Sequence, residues 1–452
     1  MARSSVRKRG WIFLGGCCLA VLGSWVGWDK LGLPRYRSNP DLLRSLRHAP
    51  LLAIGHPPAG GEWPQWRGPN RDGLSPESGL LADWPPTGPP LLWETALGRG
   101  FSTPAIASGR VYTMAQEGEE GTVSETVLCL DAATGRELWK FRYPNQYEER
   151  MGSGPRSTPS VDGDYVYAVG PTGIFHCLRA DTGEKVWRHD LLDEFHAKVP
   201  QYGVSFSPLV DGDLVYVTPG GPAGGSVVAF HKRTGVLAWQ ALDDPIGYSS
   251  PLMTTAAGVK QLLVFTNEAM VSLSPTDGTV YWRFAWKTTG GFNIATPVAF
   301  DDYVFLSSGY GKGCALLEIG RNADDSLSAR AVYEHNRMRN YFSSSVRLRE
   351  HLYGFDNSDL TCMDLRTGEI LWRVRGERGF KKGSLMIADG HLIVLGEDGK
   401  LALAKATPAG YTERASFRVS ENKCWTVPVL AGGRLYIRDE SRLRCLDLRN
   451  SK

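Results

Sequence analysis

An all-β fold, an eight-bladed β-propeller of four-stranded antiparallel blades closed by an N-terminal strand, is what this 452-residue sequence predicts, and three observations predict it. An eleven-residue phrase, first written as CLDAATGRELW from Cys129 to Trp139, returns along the chain with Gly at its seventh place and Trp at its eleventh. A second phrase, a small hydroxyl residue and proline followed by an alternating run that ends in Val-Tyr, precedes each copy, as in STPSVDGDYVY. The composition, 52 Gly and 14 Trp with few charge-patterned helical stretches, suits many short strands joined by tight turns.

The first thirty residues stand outside that fold. Arg3, Arg7, Lys8 and Arg9 precede a charge-free run from Gly10 to Trp28, so residues 1–30 read as an N-terminal transmembrane or signal segment. The length of the run favours an uncleaved anchor, while the small residues ending at Gly23 leave a cleaved signal open. The basic flank keeps the amino end in the cytoplasm and sends the body to the periplasmic or extracytoplasmic side, membrane-anchored or secreted. Residues 31–60 form a linker that ends at Pro57, Pro58 and Gly60. Residues 61–90 form a capping segment opened by WPQWRGPNRDG, in which Trp63 and Trp66 pack on the ring and the NRDG stretch turns. Residues 91–452 are the propeller itself.

Further copies of the first phrase are CLRADTGEKVW, AFHKRTGVLAW, SLSPTDGTVYW and CMDLRTGEILW, with decayed forms around Tyr333 and Phe417. Counting closing residues gives Trp93, Trp139, Trp187, Trp239, Trp282, Tyr333, Trp372 and Phe417, and counting opening residues gives Pro104, Pro159, Pro208, Pro251, Pro297, Ser345, Leu385 and Pro428, so each count is eight. The unit holds four strands in roughly 45 residues, the pattern of a propeller blade. The chain begins with a closing strand and ends with an opening set, and pairing the two seals the ring without an exposed edge. The proline is expected at a strand's first residue, where a missing N–H matters least. The recurring tryptophans read as packing between neighbouring sheets rather than as ligand contacts. Cys129, Cys177, Cys362 and Cys445 share the first place of the phrase and so sit in different blades. Sheets stand about 10 Å apart and a disulfide needs α-carbons within about 7 Å, so bridges among these cysteines are not expected.

The charge balance, 51 basic against 48 acidic residues, gives no support for a nucleic-acid partner. No C-x-x-C spacing, no Ser-His-Asp pattern and no metal motif is present among the nine histidines and eight cysteines, so no catalytic and no metal-binding residue is assigned. Candidate ligand-binding residues come from the links that carry each outer strand to the next inner strand near the axis. The four residues standing six to three places before each opening position contain Arg99, Arg156, Arg339, Lys381, Lys382 and Lys423 and no acid. They also contain Phe101, Tyr202, Tyr248, Phe292, Tyr341, Phe342, Phe380 and Trp425, with Asn293 and Asn340 among the polar positions. A funnel rimmed by cations and flat rings suits a planar anionic ligand or an acidic segment of a partner protein. The competing reading has the rings plugging the axis and the cations fanning into solvent. A loop carrying Glu117, Glu119 and Glu120 is placed to shield the funnel.

The phrase, the blade count and the closing strand together resemble the tryptophan-docking repeats of the pyrroloquinoline quinone (PQQ)-like β-propeller family, and the resemblance covers about residues 62–450. It lies closer to the BamB-like non-enzymatic propellers than to the quinoprotein alcohol dehydrogenases. It therefore implies a protein- or ligand-binding assembly platform in the cell envelope, with membrane contact through the N-terminal segment. The alternative it implies is a PQQ-dependent oxidoreductase. In that branch the quinone lies under a disulfide between adjacent cysteines, beside calcium held by acidic and amide side chains. The only adjacent cysteines here are Cys17 and Cys18, inside the apolar run, so no cofactor is assigned and no residue is carried over.

Overall fold

The computed structural model describes residues 61–119 and 122–450, which form eight four-stranded antiparallel blades. Blade 1 runs through Ala105–Ala107, Arg110–Glu117, Ser124–Asp131 and Glu137–Pro144 from the axis outwards. Blades 2 to 8 open with Ser160–Asp162, Leu209–Asp211, Leu252–Ala256, Val298–Phe300, Val346–Leu348, Gly383–Ala388 and Val429–Ala431. Blade 8 takes its outer strand from the other end of the fold: Leu91–Ala96 pairs antiparallel with Arg442–Asp447, with Trp93 opposite Cys445. The ring closes as the repeat count expects. The expected anchor and linker lie outside the described residues, and among the described residues no helix is long and apolar enough to cross a membrane.

The closing residues explain the repeat. In seven of the eight blades a bulge shifts the register just before the closing residue, as between Lys185 and Trp187; in blade 7 it falls earlier, between Glu413 and Ala415. Trp139 Nε1 then donates to the Ala180 carbonyl of blade 2 at 3.0 Å, and the Tyr112 hydroxyl, from the second phrase, donates to the same oxygen at 3.2 Å. Trp187 with Tyr167, and Trp239 with Tyr216, repeat the arrangement on Lys232 and Pro275 of the next blade. The glycine at the seventh place sits under that ring. Gly183 has φ +75°, and a Cβ built on it would stand 2.5 Å from Trp139. Each copy of the phrase thus supplies both the ring that docks on the next blade and the bare turn that receives the ring before it. We expect Gly183→Ala to cost roughly 2–4 kcal/mol in urea unfolding, from the left-handed backbone and the overpacked ring together. Gly163→Ala, at φ +55° with nothing within 4 Å of the new methyl, should show the smaller backbone part alone.

The other phrase has its own bond. The hydroxyl before the proline accepts the backbone N–H of a neighbouring blade: Ser207 Oγ from Thr158, Ser250 Oγ from Ser207, Ser344 Oγ from Thr296 and Thr103 Oγ1 from Val427, at 2.9 to 3.2 Å. The prolines stand immediately before the inner strands rather than as their first residues, and Leu385 lies inside its strand. The six described cysteines are free and buried, each in its own blade or crossover, as the strand spacing predicts.

Strand direction divides the ring into two faces. Outer-to-inner crossovers and second-to-third loops share the upper face, while first-to-second and third-to-outer turns share the lower one. The capping segment enters at blade 1, where Trp63 and Ile106 exchange backbone hydrogen bonds of 2.8 Å, and crosses the axis to blade 7. There Leu74–Ser75 pairs in parallel with Ile387 and Ala388. Trp63 is 1% exposed, and Trp66 Nε1 donates to Thr296 Oγ1 of the blade 4–5 crossover at 2.9 Å. Two arginines turn inward. Arg71 donates to the carbonyl oxygens of Ser207, Pro208 and Pro251, and Arg67 to those of Ser345 and Asp72. The segment is a bolt through the axis.

Candidate functional site at the hub

The upper face gathers aromatic side chains into a continuous circuit. Phe101, from the crossover between blades 8 and 1, lies 5.1 Å from Trp425, and Trp425 lies 5.5 Å from Phe342. Phe342 meets Tyr341, Tyr341 stacks on Tyr310 at 4.7 Å, and Tyr310 lies 4.6 Å from Phe292. Phe292 touches Tyr248 and Tyr202, at 6.0 and 5.5 Å. Arg156 joins the ends, with its guanidinium over Phe101 and over Tyr147, whose hydroxyl donates to Gln201 O beside Tyr202. Close approach at the start of this circuit depends on Gly152, where a Cβ would stand 2.4 Å from Phe101.

Rings from crossovers two blades apart therefore touch, as Trp425 does Phe342 and Tyr202 does Phe292. They make a floor rather than an open throat, which agrees with the plugging reading for the rings. Tyr202, Phe292, Tyr310, Tyr341, Phe342 and Trp425 remain partly exposed, so the floor offers flat faces to whatever lies on it. Phe380 does not take part; it is buried in the blade 6–7 core against Phe355 and Tyr411. Tyr147 and Tyr310 take part although they lie outside the aligned window, the first early in a long crossover and the second in a second-to-third loop. Burial, and then the neighbouring Tyr341 hydroxyl, raise the Tyr310 phenol well above its ordinary range.

The window without acids is not a surface without acids. Arg99 faces Glu148 at 3.8 Å, Arg156 faces Glu149 at 3.9 Å, and Arg339 binds the buried Asp356 at 2.6 Å. Arg156 also donates to the carbonyls of Gly152 and Gly154, and burial lowers its pKa against the pull of Tyr147 and Glu149. The three lysines are different. Lys382 lies 3.9 Å over the Tyr341 ring and Lys423 4.2 Å over Trp425, where Lys423 also donates to Met151 O. Lys381 is exposed, and among the described residues no carboxylate lies within ion-pair distance of Lys381, Lys382 or Lys423. Trp425 Nε1 donates to Glu397 at 2.9 Å.

Asn293 and Asn340 are brought to the rim but face inward. Asn293 Nδ2 donates to the carbonyls of Thr266 and Trp286 and its Oδ1 accepts from Ser308, while Asn340 Nδ2 donates to Phe355 O and its Oδ1 accepts from Ser345. Their amides position the crossovers. Glu117 does not shield the hub, because Lys140 and Arg142 hold it on the outer strand of its own blade. Glu119 is exposed, and Glu120 lies outside the described residues. This donor set does not fit a calcium-bound quinone: both amides are committed to the fold, the described cysteines stand apart, and among the described residues no three metal-ligating side chains converge.

The sequence and fold have named counterparts. The family model of the outer membrane protein assembly factor BamB matches residues 123–340. BamB of Yersinia pestis is 24% identical over 294 residues, 62% of this chain and 71% of the relative. The similarity to BamB extends over more of this chain and more of the relative than the similarity to the quinoprotein alcohol dehydrogenases. Quinohemoprotein alcohol dehydrogenase ADH IIB of Pseudomonas putida is 25% identical over 229 residues, 46% of this chain but 28% of the relative. In fold, the eight-bladed ring is similar to BamB from Moraxella catarrhalis, with a TM-score of 0.55 and 15% identity, over 80% of this chain and 98% of that one.

Proposed function

We propose that this PQQ-like propeller is a binding platform of the cell envelope whose upper face takes an acidic, aromatic-bearing segment of a partner protein. The observation that carries this reading is the aromatic floor with Lys382 and Lys423 lying on its rings and Lys381 beside them, none answered by a carboxylate among the described residues. Charge-assisted contacts to the lysines and stacking on the partly exposed rings act together on such a segment. The match to proteins named as outer membrane assembly factors supports a protein partner.

The test is fluorescence anisotropy with a labelled ten-residue peptide of alternating Asp and Phe, titrated with the full chain at several salt concentrations. Binding should weaken with salt, and Lys382→Ala with Lys423→Ala should weaken it about tenfold, roughly 1 kcal/mol or less per exposed charge pair. Salt-independent binding, or equal affinity in the double variant, moves the site off this face. Alcohol turnover with an artificial electron acceptor, dependent on added PQQ and calcium, would overturn the platform reading itself.

A further inference from the structure

The axial bolt holds two buried cations and too little negative charge. Arg71, 2% exposed, binds three carbonyl oxygens, Ser160 Oγ and Gln65 Oε1, with no carboxylate among its partners. Arg67, equally buried, uses Nη2 on the Ser345 and Asp72 carbonyls, and its Nη1 is buried without a hydrogen-bond partner. Asp72 is the one carboxylate of the bolt's turn, and its Oδ1 accepts the Leu74 N–H. Burial pulls the guanidinium pKa of Arg71 down to about 9 and that of Arg67 to about 10, the latter against the pull of Asp72. The turn carries one positive charge in excess. An uncompensated charge away from water is costly, and an unmade hydrogen bond on a charged donor adds to that cost.

Both arginines line a cavity of about 300 Å³ together with Asn70 and Asp72. Its walls are Leu252–Thr254 of blade 4 and Pro297–Ala299 at the start of blade 5. We propose that this cavity binds a small singly charged oxyanion, a short carboxylate or a phosphate monoanion, balanced by the excess charge of the bolt. The volume is at the small end for ligand pockets, which suits a few heavy atoms rather than a nucleotide or a quinone. Asp72 shares the cavity, so a second charge on the ligand would meet it unfavourably, and a monoanion is preferred over sulfate. The site lies in the bolt, apart from the aromatic floor, and stands whether or not the hub binds a peptide.

The experiment is thermal unfolding of the full chain in a non-ionic detergent at pH 6, with sodium acetate, phosphate or sulfate titrated against sodium chloride at matched ionic strength. Acetate or phosphate should raise Tm along a saturable curve above the chloride line, as a ligand of the native state does, and their order tells a carboxylate site from a phosphate site. Sulfate should act more weakly. Ala299→Leu fills one wall without touching the bolt, and Thr254→Leu fills the other should the first variant fail to melt cooperatively. Each should weaken the apparent affinity by about tenfold or more. Curves that never rise above chloride overturn the proposal, and so does a rise of the same midpoint in the filled variants.

Discussion

Arg71→Met is expected to lower the unfolding free energy by roughly 2–4 kcal/mol and to expose residues 61–90 to protease well before the blades unfold. Arg71 joins blades 3 and 4 at the axis, through Ser207 and Pro208 on one side and Pro251 on the other, and meets Ser160 of blade 2. A methionine of similar length leaves the buried Ser207 and Pro251 carbonyls without that donor, and each such loss costs about 1–3 kcal/mol. Relief of the buried charge offsets part of this, which is why the expected figure stays below the sum of the bonds. Arg71→Lys keeps the charge, yet one ammonium does not span carbonyls from separate blades as a planar fork does, so lysine should not restore stability. Chemical denaturation of both variants decides the matter: wild-type midpoints with unchanged cutting of the segment would mean that the bolt rests on its tryptophans alone.

The ring was legible because its joints are local. Each closing tryptophan finds its acceptor in the turn of the very phrase that follows it, so a repeated string of letters is also a repeated contact. Where the letters decay the contact is less regular: Trp282 donates to Gln261 Oε1 of its own blade, whereas Trp372 still reaches Thr407 O of blade 7. Tyr333 still reaches Leu365 O of blade 6 through its hydroxyl. The hub was legible only in part. An aligned window catches residues by their distance from a strand start, and seven of its eight aromatics do join the circuit, from Phe101 to Trp425. It does not catch Tyr147, Glu148 and Glu149, which lie earlier in a crossover of unusual length, nor Tyr310 and Asp356, which come from second strands and the loops after them. The apparent absence of acids was therefore a property of the window. The capping role of WPQWRGPNRDG followed from its tryptophans, whereas inward arginines run against every residue preference for a core and become visible only once the carbonyl oxygens around the axis are placed.

Removing either member of a buried pair between blades 1 and 2 should uncover a pH dependence that the wild type conceals. Glu125 is fully buried; Tyr143 donates to its Oε2 at 2.5 Å and Asn145 at 3.0 Å, while its Oε1 has no partner. Burial, opposed by those two donors, raises its pKa from 4.5 to about 7. His176, 1% exposed, packs on the Tyr143 ring at 4.6 Å and on Phe141 at 4.9 Å, and burial, with Arg188 and Lys185 adding to it, lowers its pKa from 6.5 to about 3. Between pH 4.5 and 7 the native carboxyl keeps a proton that the unfolded chain has lost, so Glu125 makes stability fall as pH rises. Between pH 3 and 6.5 the unfolded imidazole holds a proton that the native ring refuses, so His176 makes stability rise with pH. Each slope is at most about 1.4 kcal/mol per pH unit, and from 4.5 to 6.5 they oppose and nearly cancel. Glu125→Gln should therefore gain stability relative to wild type as pH rises through that window, by about 2–3 kcal/mol in total, and His176→Phe should lose a similar amount. Urea unfolding of the three proteins at pH 4.5, 5.5 and 6.5 makes the comparison, since every other titrating group cancels in the differences. Parallel profiles for all three would mean that neither group is held neutral in the native blades.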